Sequence, residues 1–214
     1  MTQPVSAPTG HDDEAGTTPA SQITLGILAG GRATRLHGLD KAWIERDGIP
    51  QVLRWRRRFE RETDAMIVSA NRELQRYEAA GLHAIPDRIA GDFGPMAGLA
   101  ALLANCHTPW LLTIPVDLVG VNDCLVPSLW SGRSPGGAFA VDDEGRQPLV
   151  ALWCVAAALP AVSTAIEHNE TAIHALQARI GMTGVRLEGV RFGNLNTPED
   201  LRSAGFDVEL HRHD

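Results

Sequence analysis

Cysteine is scarce in this sequence: Cys106, Cys124 and Cys154 stand far apart, with no C-x-x-C pair. That spacing suggests neither a zinc site nor a redox dithiol. An odd number of thiols fits a reducing compartment, and the three read as small structural residues. An excess of positive charge is lacking too. The formal net charge is −7, which argues against general binding to nucleic acid or an anionic membrane, since both need a basic face. It leaves room for an anionic small substrate, because a local pocket of Lys, Arg and metal can oppose the global sign. Long apolar runs are missing. The longest, Leu149 to Leu159, falls well short of the ~20 residues that a membrane helix needs. Met1 to Ala20 lacks the basic start and apolar stretch of a secretory signal. Its Pro, Ser, Thr, Gly and acidic residues read as a disordered tail. The expectation is a cytoplasmic protein that binds neither nucleic acid nor membrane.

What is present is ordinary globular composition, 44% hydrophobic and 21% charged. A chain of 214 residues suits one sizeable domain. The expected division is a tail over 1–21, one domain over 22–206 and a polar tail over 207–214. Ile23 to Leu28 reads as a buried strand broken by Ala29-Gly30-Gly31. A helix over Gln51–Glu62, a strand over Ala65–Ser69, a helix over Asn71–Ala80 and a strand over Leu82–Ile85 follow. Pro95–Ala104 is a helix with Pro in its first turn, and Trp110–Ile114 is a strand. Later come strands over Ala138–Val141 and Leu149–Trp153, one or two helices within Leu159–Arg179, and weak strands over Val185–Leu187 and Val190–Asn194. A capped helix starts at Thr197-Pro198.

Strand–loop–helix repeated in this way implies an α/β fold: a Rossmann-like, doubly wound, mostly parallel sheet with helices on both faces. Ligands of such sheets bind beyond the carboxyl ends of the strands. Gly30, Asn71, Asp87 and Asp117 each follow an expected strand, so four polar or turn positions converge on one sheet edge. The loop Leu28-Ala29-Gly30-Gly31-Arg32-Ala33-Thr34-Arg35-Leu36-His37-Gly38-Leu39-Asp40-Lys41 adds chemistry to that edge. Its glycines let backbone amides approach phosphate oxygens. Arg35 and Lys41 can neutralise a triphosphate through charge-assisted hydrogen bonds. The loop satisfies neither the P-loop pattern nor the dinucleotide fingerprint.

Its pattern L-A-G-G-x-x-x-R-x-x-G-x-D-K resembles the signature loop of the nucleotidyltransferase family that includes molybdenum cofactor guanylyltransferase. The resemblance continues in order through Val68-Ser69-Ala70-Asn71-Arg72, Gly94-Pro95-Met96-Ala97-Gly98-Leu99 and Pro115-Val116-Asp117. It ends with Gln147-Pro148-Leu149 and Asn194-Leu195-Asn196-Thr197-Pro198-Glu199-Asp200. Gly-Gly after the first strand is associated with the guanylyl branch. The resemblance therefore implies GTP and molybdenum-molybdopterin as substrates, with Mg²⁺ on Asp117. It implies that Leu28, Ala29 and Gly30 line the nucleoside and that Lys41 and Arg35 hold phosphates. Asn71 and Asp87 would touch the nucleotide, and Gln147, Asn194 and Asn196 would lie toward the pterin. Acceptor molybdoenzymes or their chaperones are the implied protein partners.

Each role has a plainer alternative. Asn71 can be the N-cap of the second helix, Asp87 a turn residue after Pro86, and Asn196 or Thr197 a helix cap. Asp123 and Asp142 carry no motif and read as surface charges. No pair of the eight histidines has metal-ligand spacing. His37 stands where the family has Gly, and Val119 where it has Pro. A related cytidylyl- or sugar-phosphate transferase, or a non-catalytic carrier of pterin or nucleotide, are the other functional readings.

Overall fold

The computed structural model describes residues 18–30, 40–87, 89 and 93–206. In chain order the strands are β1 (Ile23–Leu28), β2 (Glu45–Arg46), β3 (Ile49–Pro50), β4 (Ala65–Ser69), β5 (His83–Ile85), β6 (Trp110–Pro115), β7 (Leu118–Val119), β8 (Gly137–Asp142), β9 (Gly145–Cys154), β10 (Thr183–Arg186) and β11 (Gly193–Asn194). The helices are α1 (Gln51–Phe59), α2 (Leu74–Ala79), α3 (Pro95–Ala104), α4 (Leu125–Ser131), α5 (Val155–Glu167), α6 (Ile173–Arg179) and α7 (Pro198–Ser203).

Seven strands form the central sheet in the order β10-β8-β9-β6-β1-β4-β5. Only β9 runs against the others: it is antiparallel to both β6 and β8, while the remaining pairs are parallel. β1 is buried at all six positions, as an inner strand covered on both faces must be. Its side chains alternate between the two faces. Ile23, Leu25 and Ile27 pack with Val52, Trp55 and Phe59 of α1 and with Leu125, Val126 and Leu129 of α4. Leu28 joins Leu99 and Leu102 of α3, Val162 of α5 and Leu176 of α6 on the other face. The doubly wound architecture expected from the element order is thus present.

Several elements differ from expectation. The second helix begins at Leu74, because Glu73 adopts a left-handed φ of 49°, which interrupts helical geometry. α4 was not anticipated; its Pro127 lies in the first turn, where its missing N–H has no intrahelical partner to lose. α5 begins at Val155 and carries Pro160 inside it, so the proline does not mark the start. The weak strand over 190–194 reduces to β11, which pairs antiparallel with β7. That small pairing brings the C-terminal segment back to the sheet edge where β6 ends.

Candidate active site

An open cavity of about 440 Å³ lies over the carboxyl ends of β1, β4 and β6. Gly30, Asn71, Asp87 and Asp117 all line it, as do Leu28, Ala29 and Lys41. The backbone sets this convergence. Ala29 N donates to Ser69 O at 2.9 Å, and Val116 N donates to Leu28 O at 3.0 Å. Asp87 N donates to Asn71 Oδ1 at 3.0 Å, so Asn71 ties the loop after β4 to the loop after β5. It does not cap α2. Gly30 faces the same point: a Cβ built there would sit 3.7 Å from Asp87 Oδ2 and 3.9 Å from Asn71 Nδ2. Gly98 lets α3 close the wall, since a Cβ would come within 2.9 Å of Ser69 Oγ and 3.0 Å of Leu28 Cδ2. Ser69, Arg72 and Leu149, members of the quoted motifs to which no role was given, also line the cavity, as does Phe93, which no motif marked.

Lys41 stands at the mouth. It is the only lysine in the chain; the other 18 of the 19 basic residues are arginine. A 3-10 turn over Lys41–Trp43 presents it, and the Asp40 side chain starts that turn by accepting from Ala42 N at 3.0 Å. Trp43 anchors the turn, its ring tilted against Tyr77 at 4.9 Å between centroids and covered by Arg76 at 4.3 Å. Lys41 Nζ donates to Asp117 Oδ2 and to Asn196 Oδ1, each at 2.7 Å. Lys41 and Asp117 are 21% and 22% exposed. The pair is still in reach of solvent, which screens it to a contribution on the order of 1 kcal/mol, so an incoming anion can draw the ammonium away.

Asn196, one of the three residues assigned to the pterin side, therefore meets the lysine directly. The segment is drawn in by Leu195 N, which donates to Asp117 O at 2.8 Å. Asn194 is exposed on β11, paired with Leu118, and does not line the cavity. Gln147 does not line it either; it pairs with Ala140 of β8, and its side chain helps to lower the Asp142 carboxyl. The Gln147-Pro148-Leu149 motif is an irregularity in the β8–β9 pairing, where the register passes from Phe139↔Ala151 to Ala140↔Gln147. Pro is tolerated at such bulges, and this one turns Leu149 toward the cavity. Arg35 and His37 lie outside the described residues. Val119 sits in β7 opposite Gly193.

Asp142 corrects its reading as a surface charge, because it is fully buried. It accepts from Glu144 N and Gly145 N at 3.0 Å each and from Phe192 N at 2.9 Å. The lack of a motif concealed it; its place at the end of a strand before an acidic turn was the available signal. Asp123, by contrast, is 98% exposed beside Arg58.

The donor set suits a hard cation only in company. Among the described residues no three of His, Cys, Asp and Glu cluster as metal ligands. Mg²⁺ needs only one or two carboxylates when substrate phosphates and water complete its shell, and the Asp117 carboxylate with the nearby Asn196 amide oxygen fits that requirement.

Asp40 offers a test by pH. Burial raises its carboxyl above the ordinary 3.8, although the bond from Ala42 N pulls the other way. A raised acid stabilises the fold in its protonated form: that contribution is complete below 3.8 and is lost as pH rises through the raised value. Asp40→Asn keeps an acceptor for Ala42 N without the charge. It is expected to raise Tm by about 1–3 °C at pH 7 and to leave it nearly unchanged near pH 3. Equal shifts in melts at both pH values would show that charge is not the cause.

The profile of the MobA-like NTP transferase domain matches residues 25–181. Molybdenum cofactor guanylyltransferase of Yersinia pestis strain Pestoides F is 34% identical over 181 residues, covering 83% of this chain and 92% of that protein. Its counterpart from Yersinia pseudotuberculosis serotype IB matches to the same extent. Among solved structures, molybdopterin-guanine dinucleotide biosynthesis protein A of Archaeoglobus fulgidus superposes with a TM-score of 0.63 at 19% identity, over 85% of this chain and 96% of that one. CTP:phosphocholine cytidylyltransferase of Streptococcus pneumoniae does so at 0.64 and 13% identity, over 86% and 98%; at these identities the two structures speak for the fold alone. Among the described residues, no helix is long and apolar enough to cross a membrane. The ordered motifs, the cavity at the sheet edge and the match over most of the chain agree: this chain belongs to the MobA-like NTP transferase family and is a nucleotidyltransferase of molybdenum cofactor biosynthesis.

Proposed function

We propose that the chain transfers GMP from GTP to molybdopterin carrying molybdenum, giving the guanine dinucleotide cofactor and pyrophosphate. The observation that carries this reading is the meeting of Lys41 and Asp117 at 2.7 Å, at the mouth of a cavity walled by Leu28, Ala29 and Gly30. Positioning and charge stabilisation are what such a transfer asks of a protein. The terminal phosphate of the pterin attacks the α-phosphorus in line. A new oxygen–phosphorus bond forms as the bond to the β-phosphate oxygen breaks, and pyrophosphate leaves with the electron pair. A phosphate dianion is already a nucleophile, so no general base is assigned. Lys41 and Arg35 stabilise charge on the leaving group. Asn71 and Asp87, held to each other, meet the nucleotide, while Asn196 stands between Lys41 and the acceptor side. Mg²⁺ held by Asp117 would supply Lewis-acid stabilisation of phosphate oxygens. The reaction belongs in the cytoplasm, with acceptor molybdoenzymes or their chaperones receiving the product.

Calorimetry with GTP, CTP and ATP in the presence of Mg²⁺ tests the reading on the parent and on Asp117→Ala. The parent is expected to bind GTP selectively. The variant is expected to bind at least about tenfold more weakly and without dependence on Mg²⁺. Selective CTP binding would move the chain to a cytidylyl branch, ATP preference to a sugar-phosphate branch, and absence of nucleotide binding to a carrier.

A further inference from the structure

The capping of α7 does more than start a helix. In a capping box the residue at the third helical position bonds back to the N-cap amide and receives a bond in return. Asp200 does this with Thr197: Thr197 N donates to Asp200 Oδ2 at 2.8 Å, and Asp200 N donates to Thr197 Oγ1 at 3.1 Å. The same Oδ2 also accepts from Asn196 N at 3.1 Å, an amide shared with Asn194 O at 3.0 Å. Helix capping does not require that extra bond. Asn196 precedes the cap, and its backbone is now held from two directions. Its side chain is the one that accepts from Lys41 Nζ at 2.7 Å. Hydrogen bonds to Asp200 from Thr197 and Asn196, with the nearby positive charge of Lys41, hold its carboxyl below the usual range, so it is an anion at neutral pH.

We infer that Asp200 is a positioning residue for the transfer: by fixing the Asn196 backbone it aims the Asn196 amide oxygen and so sets where the Lys41 ammonium waits. This rests on the reading of Lys41 as the phosphate-binding group, but its first test does not. Because Lys41 is the only lysine, protein grown with ¹³C-lysine gives one side-chain ε-methylene signal. In the parent the two ε-protons are expected at distinct shifts, as in an immobilised side chain. In Asp200→Ala they merge. In Thr197→Ala, which removes the cap but keeps the Asp200–Asn196 bond, they stay distinct, although both variants lose a similar ~2–4 °C in Tm. Asp200→Asn retains an acceptor oxygen and is expected to restore the parent signal. Should Asp200→Ala not fold, Asp200→Ser, whose hydroxyl falls short of both amides, takes its place.

In the transfer assay, kcat of Asp200→Ala is expected to fall about 10- to 100-fold with little change in the KM for nucleotide. The loss should vanish in an Asn196→Ala background, since residues acting through one contact are not additive. Distinct ε-protons in Asp200→Ala, equal merging in Thr197→Ala, or a full loss of kcat persisting in Asn196→Ala would each overturn the assignment. A merged signal with no GMP transfer by the parent would sustain the positioning role and overturn the proposed reaction instead.

Discussion

Lys41→Ala is expected to lower kcat for nucleotidyl transfer by about 10²–10³, the usual cost of one stabilising donor at a centre where charge develops. The ammonium is compact enough to meet Asp117 and Asn196 at 2.7 Å at once. Lys41→Arg is not a conservative change there. A planar guanidinium places its donors in a fixed fork, and it is expected to lose at least about tenfold. Stability separates this effect from misfolding. Both partners of the ion pair keep contact with solvent, so its removal changes folding on the order of 1 kcal/mol, and Tm is expected to stay within about 4 °C of the parent. Pyrophosphate release under saturating nucleotide reads the rate. A Lys41→Ala enzyme within about twofold of the parent would remove Lys41 from the reaction.

Asp142→Ala is expected to be the more damaging change to the fold. It strips the acceptor from Glu144 N, Gly145 N and Phe192 N, and Phe192 is buried. Leaving such donors unpaired costs about 3 kcal/mol in sum, or about 6–12 °C in Tm. Asp142→Asn is no remedy, because its amide nitrogen would face a donor. Burial alone would raise the Asp142 carboxyl, but the bonds from Phe192 N, the Gln147 side chain, Glu144 N and Gly145 N prevail and lower it below 3.8. A lowered acid stabilises the fold in its ionised form. That contribution is complete above 3.8 and is lost as pH falls through the lowered value. Urea unfolding at neutral pH measures the difference; a loss under about 1 kcal/mol would mean that other contacts hold the hairpin to the segment before β11.

Much of this arrangement was legible in the residues. β1, β4, β6 and α3 follow from apolar runs broken by glycine and proline, and the four positions Gly30, Asn71, Asp87 and Asp117 follow from their places after strands. What escaped has a common cause: it depends on partners far away in the chain. Asn71 reads equally well as a cap until its Oδ1 is seen to serve Asp87 N, 16 residues on. Asn196 reads as a cap or a pterin-side residue, and its meeting with Lys41, 155 residues away, shows only once β7 and β11 pair. Asp142 looks solvated until Phe192 N arrives from 50 residues downstream. The early start of α5 was hidden by a proline whose effect depends on position within a helix. Local pattern reports the strands, and long-range closure decides which polar groups meet.

The solitary lysine has a chemical corollary. Arginine does not acylate under conditions that modify an amine, so among the side chains an amine-directed reagent finds one amine, and the free thiols, with Cys124 exposed, are its competitors. That amine stands at the mouth of the cavity, held by an anion and an amide oxygen. One covalent event there removes the charge and leaves a single amide N–H in place of three donors, and no second lysine dilutes the outcome. The extent of lysine acylation, read as a mass increment on the peptide that carries Lys41, then counts the molecules in which this one amine is blocked, and protection by nucleotide is the expected outcome if Lys41 meets the phosphates.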